Sequence, residues 1–308
     1  MNRPGYHSFC QVLIATIACL AGFPGFAWEQ RDAESADGTR IAYYVRGDLN
    51  AGDVPLLVIS GGPGSDHRYM RVGGSFDELA SRIPVIMFDQ RGTSNSGAVT
   101  WEPRLLQWTQ DVEAIRKSVG APALHLLGHS FGGFVAMDYA SRFGDRLRSM
   151  ILVDSTAATI SGTRQMLGDV FPDQIDQWRQ VREKLTPRFK ASDIEVFTRM
   201  EFVDPEARDR FLKAIAGYTY NIEVNNALRV DMAGLDFEET LSAFEKPALV
   251  IHGRFDAVIA PITSWELHQT LPNSRLAIIE RTGHLPFAER PREFVDAVES
   301  FLASHSNP

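Results

Sequence analysis

The chain has 308 residues, 44% of them hydrophobic and 23% charged, which excludes a disordered or collagen-like polymer and is enough to bury a sizeable core without staples. Its 31 Lys and Arg against 39 Asp and Glu give a net charge of -8, and no basic stripe runs along it, so a nucleic-acid partner is not expected.

The N-terminal segment comes first. Arg3 precedes an uncharged apolar stretch, Phe9 to Ala21, and Gly25-Phe26-Ala27 puts small residues where signal peptidase reads them. Residues 1–27 are read as a secretory signal cleaved after Ala27. The stretch is shorter than the ~20 apolar residues of a membrane span, so no stable membrane insertion is expected after cleavage. Both cysteines, Cys10 and Cys19, would leave with it. A mature chain without thiols can form no disulfide, Cys nucleophile or Cys metal site, which suits a periplasmic or secreted protein.

Further along, Arg40 to Arg46 alternates with Ile41, Tyr43 and Val45 on one side, the period of a half-buried strand. Strand-length apolar runs follow at Leu56 to Ser60, Val85 to Phe88, Ala123 to Leu127, Ser149 to Val153, Ala248 to His252 and Leu276 to Ile279. Helical patterns lie between them, including Leu105 to Val119 and Phe131 to Phe143. A last helix, opened by Pro291, places Phe294, Val295, Val298, Phe301 and Leu302 on one face. Such alternation predicts an α/β fold with a mostly parallel sheet and helices on both faces. From Thr156 to Glu245 no buried strand is evident, and charges interleave with apolar residues at helical spacing. Residues 156–245 are therefore expected to form an inserted helical cap over the sheet's carboxyl edge, where open α/β sheets bind ligands, with 28–155 and 246–308 as the core.

Gly128-His129-Ser130-Phe131-Gly132 matches G-x-S-x-G between a strand and a helix, the setting of a nucleophile elbow. Serine needs a base, and the base a partner that fixes its tautomer. Of the 8 histidines, His284 lies in a loop after a strand, whereas His125 and His252 sit in strands and His129 would be pinned by the turn. For the acid, Asp256 gives the order Ser130, Asp256, His284; Asp154 is the rival, also placed after a strand. The oxyanion donors are assigned to Phe131 N–H and to Gly62 N–H, with Gly61 as the alternative, in Ser60-Gly61-Gly62-Pro63-Gly64. Arg91 reads as structural, and Asp111 and Glu113 are two apart, so they share no helical face. No His, Asp and Glu cluster has metal-ligand spacing, so neither metal nor other cofactor is expected.

Gly61-Gly62-Pro63-Gly64, Asp89-Gln90-Arg91-Gly92, Gly128-His129-Ser130-Phe131-Gly132-Gly133, His252-Gly253-Arg254-Phe255-Asp256 and Gly283-His284 together resemble the signature segments of proline iminopeptidases, serine peptidases of the α/β-hydrolase fold. Ser60 and Phe131 stand where that family usually has histidine and tryptophan. The resemblance implies release of N-terminal proline, or another small residue, from a short peptide, with cap glutamates holding the substrate's free amino group. Thr198-Arg199-Met200-Glu201 is similar to one such segment, making Glu201 the first candidate and Glu223 the second, with Phe197, Phe202, Tyr218 and Tyr220 as walls for a proline ring. The alternative activity is a carboxylesterase on small neutral acyl esters, which needs the same triad and no amine anchor.

Overall fold

Runs of Val, Ile, Leu and Met with no polar alternation must be covered on both faces, and they stack into one sheet. The computed structural model describes residues 27–99, 102–182, 188–215 and 218–305, so the expected signal ahead of Ala27 lies outside the described residues. The strands are β1 (Glu29–Glu34), β2 (Arg40–Arg46), β3 (Leu56–Ile59), β4 (Val85–Phe88), β5 (Leu124–His129), β6 (Leu147–Val153), β7 (Arg188–Lys190), β8 (Thr219–Asn221), β9 (Ala248–Gly253) and β10 (Ser274–Ile279). Eight of them form a sheet in the order β1-β2-β4-β3-β5-β6-β9-β10. The ladders β1·β2 and β2·β4 are antiparallel, and the remaining ones are parallel.

Alternate residues of each central strand enter opposite cores. Leu57, Ile59, Leu126 and Leu152 pack with α2 (Leu105–Ser118) and α3 (Phe131–Phe143), whereas Leu56, Val58, Leu127 and Val153 pack with α1 (Ser75–Leu79) and a C-terminal helix, Pro291–Ala303. This is the doubly covered, mostly parallel sheet expected from the alternation. β1 is absent from the sequence reading because Glu29-Gln30-Arg31-Asp32-Ala33-Glu34 buries only Ala33 and carries no hydrophobic pattern. Its backbone pairing with β2 holds it, and its charged side chains discourage further strands from adding to the edge.

Between β6 and β9 the chain carries α4 (Leu167–Val170), α5 (Pro172–Arg182), α6 (Glu195–Glu201), α7 (Pro205–Ala214), α8 (Ile222–Met232) and α9 (Glu238–Ser242). The segment in which no buried strand was expected also holds one short antiparallel pair, β7 and β8, at three residues apiece too short to show a period. An isolated bridge between Ser65 and Tyr220 ties this segment to the loop after β3. No described helix is long and apolar enough to cross a membrane.

Candidate active site

The parallel strands end at one edge, and their following loops converge there. β5 ends in Gly128-His129, and Ser130 then turns the chain into α3 at φ 55 and ψ −120, a strained conformation for a residue with a side chain. Glycine is required around it: a Cβ on Gly128 would lie 2.2 Å from the Gly132 carbonyl oxygen, and one on Gly132 would lie 2.4 Å from that of Ile59. Phe131, the first residue of α3, has no hydrogen-bond partner for its N–H among the described residues, as expected of a helix start.

Asp256 follows β9 and is 2% exposed, while His284 follows β10 and is 4% exposed. His284 Nδ1 lies 2.7 Å from Asp256 Oδ2. A carboxylate only accepts, so Nδ1 carries the proton and Nε2 is left with a lone pair. Asp256 Oδ1 accepts the Val258 and Ile259 N–H groups at 2.8 and 3.1 Å. Burial raises the Asp256 carboxyl, but His284 and His252 outweigh it and hold the group well below the usual carboxylate range. Burial likewise lowers His284, and Asp256, with Glu201 behind it, more than reverses this, so the imidazole titrates above its ordinary value.

Asp154, the rival acid, is fully buried and does not bond His284. Its Oδ1 accepts Gly253 N–H at 2.8 Å, while Oδ2 has no partner. Burial, and after it the neighbouring charge of Asp256, push its carboxyl well above the usual range. His252 lies 3.3 Å from Asp256 Oδ2, but Ser264 Oγ sits 2.6 Å from its Nδ1 and the Ile259 carbonyl 2.8 Å from its Nε2. His129 is also spoken for. Its Nε2–H donates to the His284 carbonyl at 2.8 Å, and its Nδ1 accepts the Tyr69 hydroxyl at 2.7 Å, while burial lowers its pKa to about 3 and keeps it neutral.

Tyr69 also separates Gly61 from Gly62. Its hydroxyl oxygen accepts the Gly61 N–H, whereas Gly62 N–H has no partner among the described residues and faces the same cavity as Ser130. Gln90 fixes this loop by donating to the carbonyls of Ser60 and Gly61 at 2.9 and 2.7 Å and accepting Gly64 N–H at 3.1 Å. Neither Tyr69 nor Gln90 was singled out from sequence, although Gln90 lies in a quoted motif. Arg91 points away, into Asp111 and Asp37, and Glu113 pairs with Arg116 and Tyr139. A third group missed from sequence is Glu289, whose carboxylate accepts Gly283 N–H at 2.6 Å and the Val203 and Asp204 N–H groups at 2.8 Å each. It thereby ties the His284 loop to the turn after α6.

These groups open on a cavity of about 660 Å³ lined by Gly62, Ser130, Phe131, His284 and Glu201. Glu201, at the end of α6, receives His284 N–H on its backbone carbonyl at 2.8 Å. Burial raises its side-chain carboxyl to about 7, against the opposing pull of His284. Phe197, Tyr218 and Tyr220 line the cavity as expected, and Trp178 joins them with its ring 5.1 Å from that of Phe197. Two expectations need correction. Phe202 does not line the cavity: its ring packs 4.9 Å from Phe211 within the second core. Glu223 is exposed on the first turn of α8 and lies outside the cavity, because the helix turns Ile222 and Asn225 inward instead.

Two groups of acids and histidines that sequence spacing did not reveal come together, Asp66 with His67 and Asp89, and Asp154 with His252 and Asp256. Arg68 holds Asp66, while Asp89 accepts from Tyr44 and lies 2.7 Å from His67 Nδ1; the second group carries the hydrogen bonds described above. A hydroxyl on a strained turn, an imidazole oriented by a carboxylate and two idle N–H groups are the parts that acyl transfer requires.

The sequence matches the profile of the alpha/beta hydrolase fold over residues 54–291. It is 27% identical over 286 residues to a proline iminopeptidase of Clostridioides difficile, covering 86% of this chain and 95% of that one. A proline iminopeptidase of Levilactobacillus brevis is 28% identical over 283 residues, 85% of this chain and 93% of its own. Among solved structures, a malate-bound thermophilic esterase from Thermogutta terrifontis superposes with a TM-score of 0.70 at 25% identity, covering 91% of this chain and all of that one.

Proposed function

The chain belongs to the α/β-hydrolase fold family, and on that premise we propose that it is a serine aminopeptidase releasing an N-terminal proline, or another small residue, from short peptides. Ser130 Oγ attacks the first carbonyl as His284 Nε2 takes its proton, and the Asp256 carboxylate steadies the imidazolium. The Phe131 and Gly62 N–H groups receive the oxyanion. His284 then hands the proton to the departing amine, and water, activated by the same imidazole, releases the acyl group from Ser130. Segment 156–245 serves as the cap that closes over the acyl residue.

The observation that carries this reading is Glu201, the one carboxylate lining the cavity among the described residues, set against the His284 backbone. A substrate ammonium there makes a charge-assisted bond to it. Such a bond is worth about 1.5 to 3 kcal/mol, so Glu201→Gln is expected to lower kcat/KM on a prolyl arylamide about 10- to 150-fold and barely alter that on a p-nitrophenyl ester. Because the Glu201 carboxyl titrates at about 7, its ammonium-binding form is lost as pH falls through neutrality. The ratio of arylamide to ester kcat/KM should therefore fall from pH 8 to pH 6 in the wild type and stay flat in Glu201→Gln. A flat wild-type ratio would count against the amine anchor.

The second reading, a carboxylesterase on small neutral esters, draws on the likeness to the Thermogutta terrifontis esterase along that protein's full length. An enzyme that cleaves p-nitrophenyl esters and no aminoacyl arylamide would establish it. The protein is further proposed to be exported, on the strength of residues 1–27. Edman sequencing of the exported protein should begin at Trp28, and a membrane-held chain starting at Met1 would contradict this.

A further inference from the structure

Two helices wall the cavity, and each presents a single stripe to it. On α5 the lining residues are Ile175, Trp178, Arg179 and Arg182; on α8 they are Ile222, Asn225, Arg229 and Met232. The α5 residues fall at i, i+3, i+4 and i+7 and the α8 residues at i, i+3, i+7 and i+10, each one helical face, where an amphipathic helix ordinarily carries apolar side chains. Both stripes instead include arginine in the last turn. The acids of the same helices, Asp173 and Asp176 on α5 and Glu223 and Asp231 on α8, fall off the stripes. In a chain of net charge -8, the lining therefore holds three guanidinium groups and one carboxylate, Glu201.

Arg179 is already paired with Asp176 at 2.8 Å. Arg182 reaches across to α8, donating to Asn226 Oδ1 at 3.1 Å, and so stands beside Arg229 with no carboxylate in ion-pair range of either among the described residues. Tyr220 is within electrostatic reach of Arg182, Arg229 and Glu201, and Asn225 donates to its hydroxyl. The charges of the cavity thus sit on different elements: the acid at the end of α6, whose backbone bonds His284, and the cations on α5 and α8. A last-turn arginine also complements a helix dipole, but that account gives no reason for both to face the cavity and predicts no dependence on substrate charge.

We infer that Arg182 and Arg229 form a subsite for the C-terminal carboxylate of the substrate, which makes the preferred substrate a free peptide of two or three residues. The inference rests on the aminopeptidase reading, with the ammonium at Glu201 fixing one end of the peptide and the arginine pair the other. A cavity of about 660 Å³ suits so small a ligand.

The test compares kcat/KM on prolyl-alanine and prolyl-alaninamide within each protein, with prolyl p-nitroanilide and p-nitrophenyl butyrate as references. The wild type should favour the free acid over the amide by about tenfold or more, mainly through KM, because guanidinium to carboxylate bonds are charge-assisted. Added salt should shrink this preference, since the arginines are partly solvated. In Arg182→Gln/Arg229→Gln the ratio should approach one, and in the corresponding double lysine variant most of it should return. An acid-to-amide ratio near one in the wild type, or one unchanged in the double glutamine variant, with the nitroanilide still cleaved, overturns the carboxylate subsite alone. Cleavage of the butyrate ester with no prolyl substrate turned over removes the aminopeptidase reading and this inference with it. Should the double variant fail to fold, the wild-type ratio and its salt dependence decide.

Discussion

Ser130→Ala is expected to lower kcat on the best substrate by ~10⁴ or more while leaving the fold intact. Stability should survive because the strained backbone at Ser130 is held by its neighbours and not by its hydroxyl. Ser130 N–H donates to the Val153 carbonyl at 2.9 Å, and its own carbonyl accepts Gly133 N–H at 3.0 Å. Alanine keeps both bonds and the same Cβ, and no side-chain hydrogen bond of Ser130 caps α3. The thermal midpoint of the variant should therefore match that of the wild type. A fluorophosphonate should label the wild-type protein at Ser130 and leave the variant unlabelled. Retained turnover in purified Ser130→Ala would remove the nucleophile assignment. Ligand binding by the wild type with no turnover of any ester or arylamide would instead point to a non-catalytic binding protein on this scaffold.

The parts of this molecule that were legible in the sequence are those with a local pattern. The central strands announce themselves as unbroken apolar runs, α3 by its spacing, and the Ser130 turn by glycines whose crowding now has a distance attached. β1 lacked such a pattern because an edge strand exists by pairing, not by burial. Contacts between distant positions were equally silent. Tyr69 meets His129, 60 residues away, and Glu289 meets Val203, 86 residues away, and neither contact has a sequence signature. The helical wall was read from its helical spacing without the rotation of each helix about its axis, so its aromatics could not be divided into lining and core. Phe197 and Phe202 are five apart on the chain, yet one faces the cavity and the other packs on Phe211. The same limit applied to Glu201 and Glu223, which only the direction of α6 and α8 distinguishes.

Exchanging the two acids behind His284 should separate them sharply. In Asp256→Asn the oxygen that accepts the Val258 and Ile259 N–H groups has to remain an oxygen, so the new NH₂ falls where Oδ2 lies 2.7 Å from His284 Nδ1. Two donors would then face each other. The imidazole escapes by moving its proton to Nε2, and in that tautomer it cannot take the proton of Ser130. A loss of ~10⁴ in kcat follows, as for other triads that lose the orienting carboxylate. The lost negative charge also ceases to raise the His284 pKa, so the acid limb of residual activity should move to lower pH. Asp154→Asn behaves differently because Asp154 bonds Gly253 N–H and not His284. An amide of the same shape keeps the acceptor for Gly253 N–H and leaves the bond between Asp256 and His284 in place, so about tenfold is the most it should cost. Rate and pH profile of the two variants, measured on one ester, decide the assignment. Equal losses, or the larger loss in Asp154→Asn, would transfer the orienting role away from Asp256.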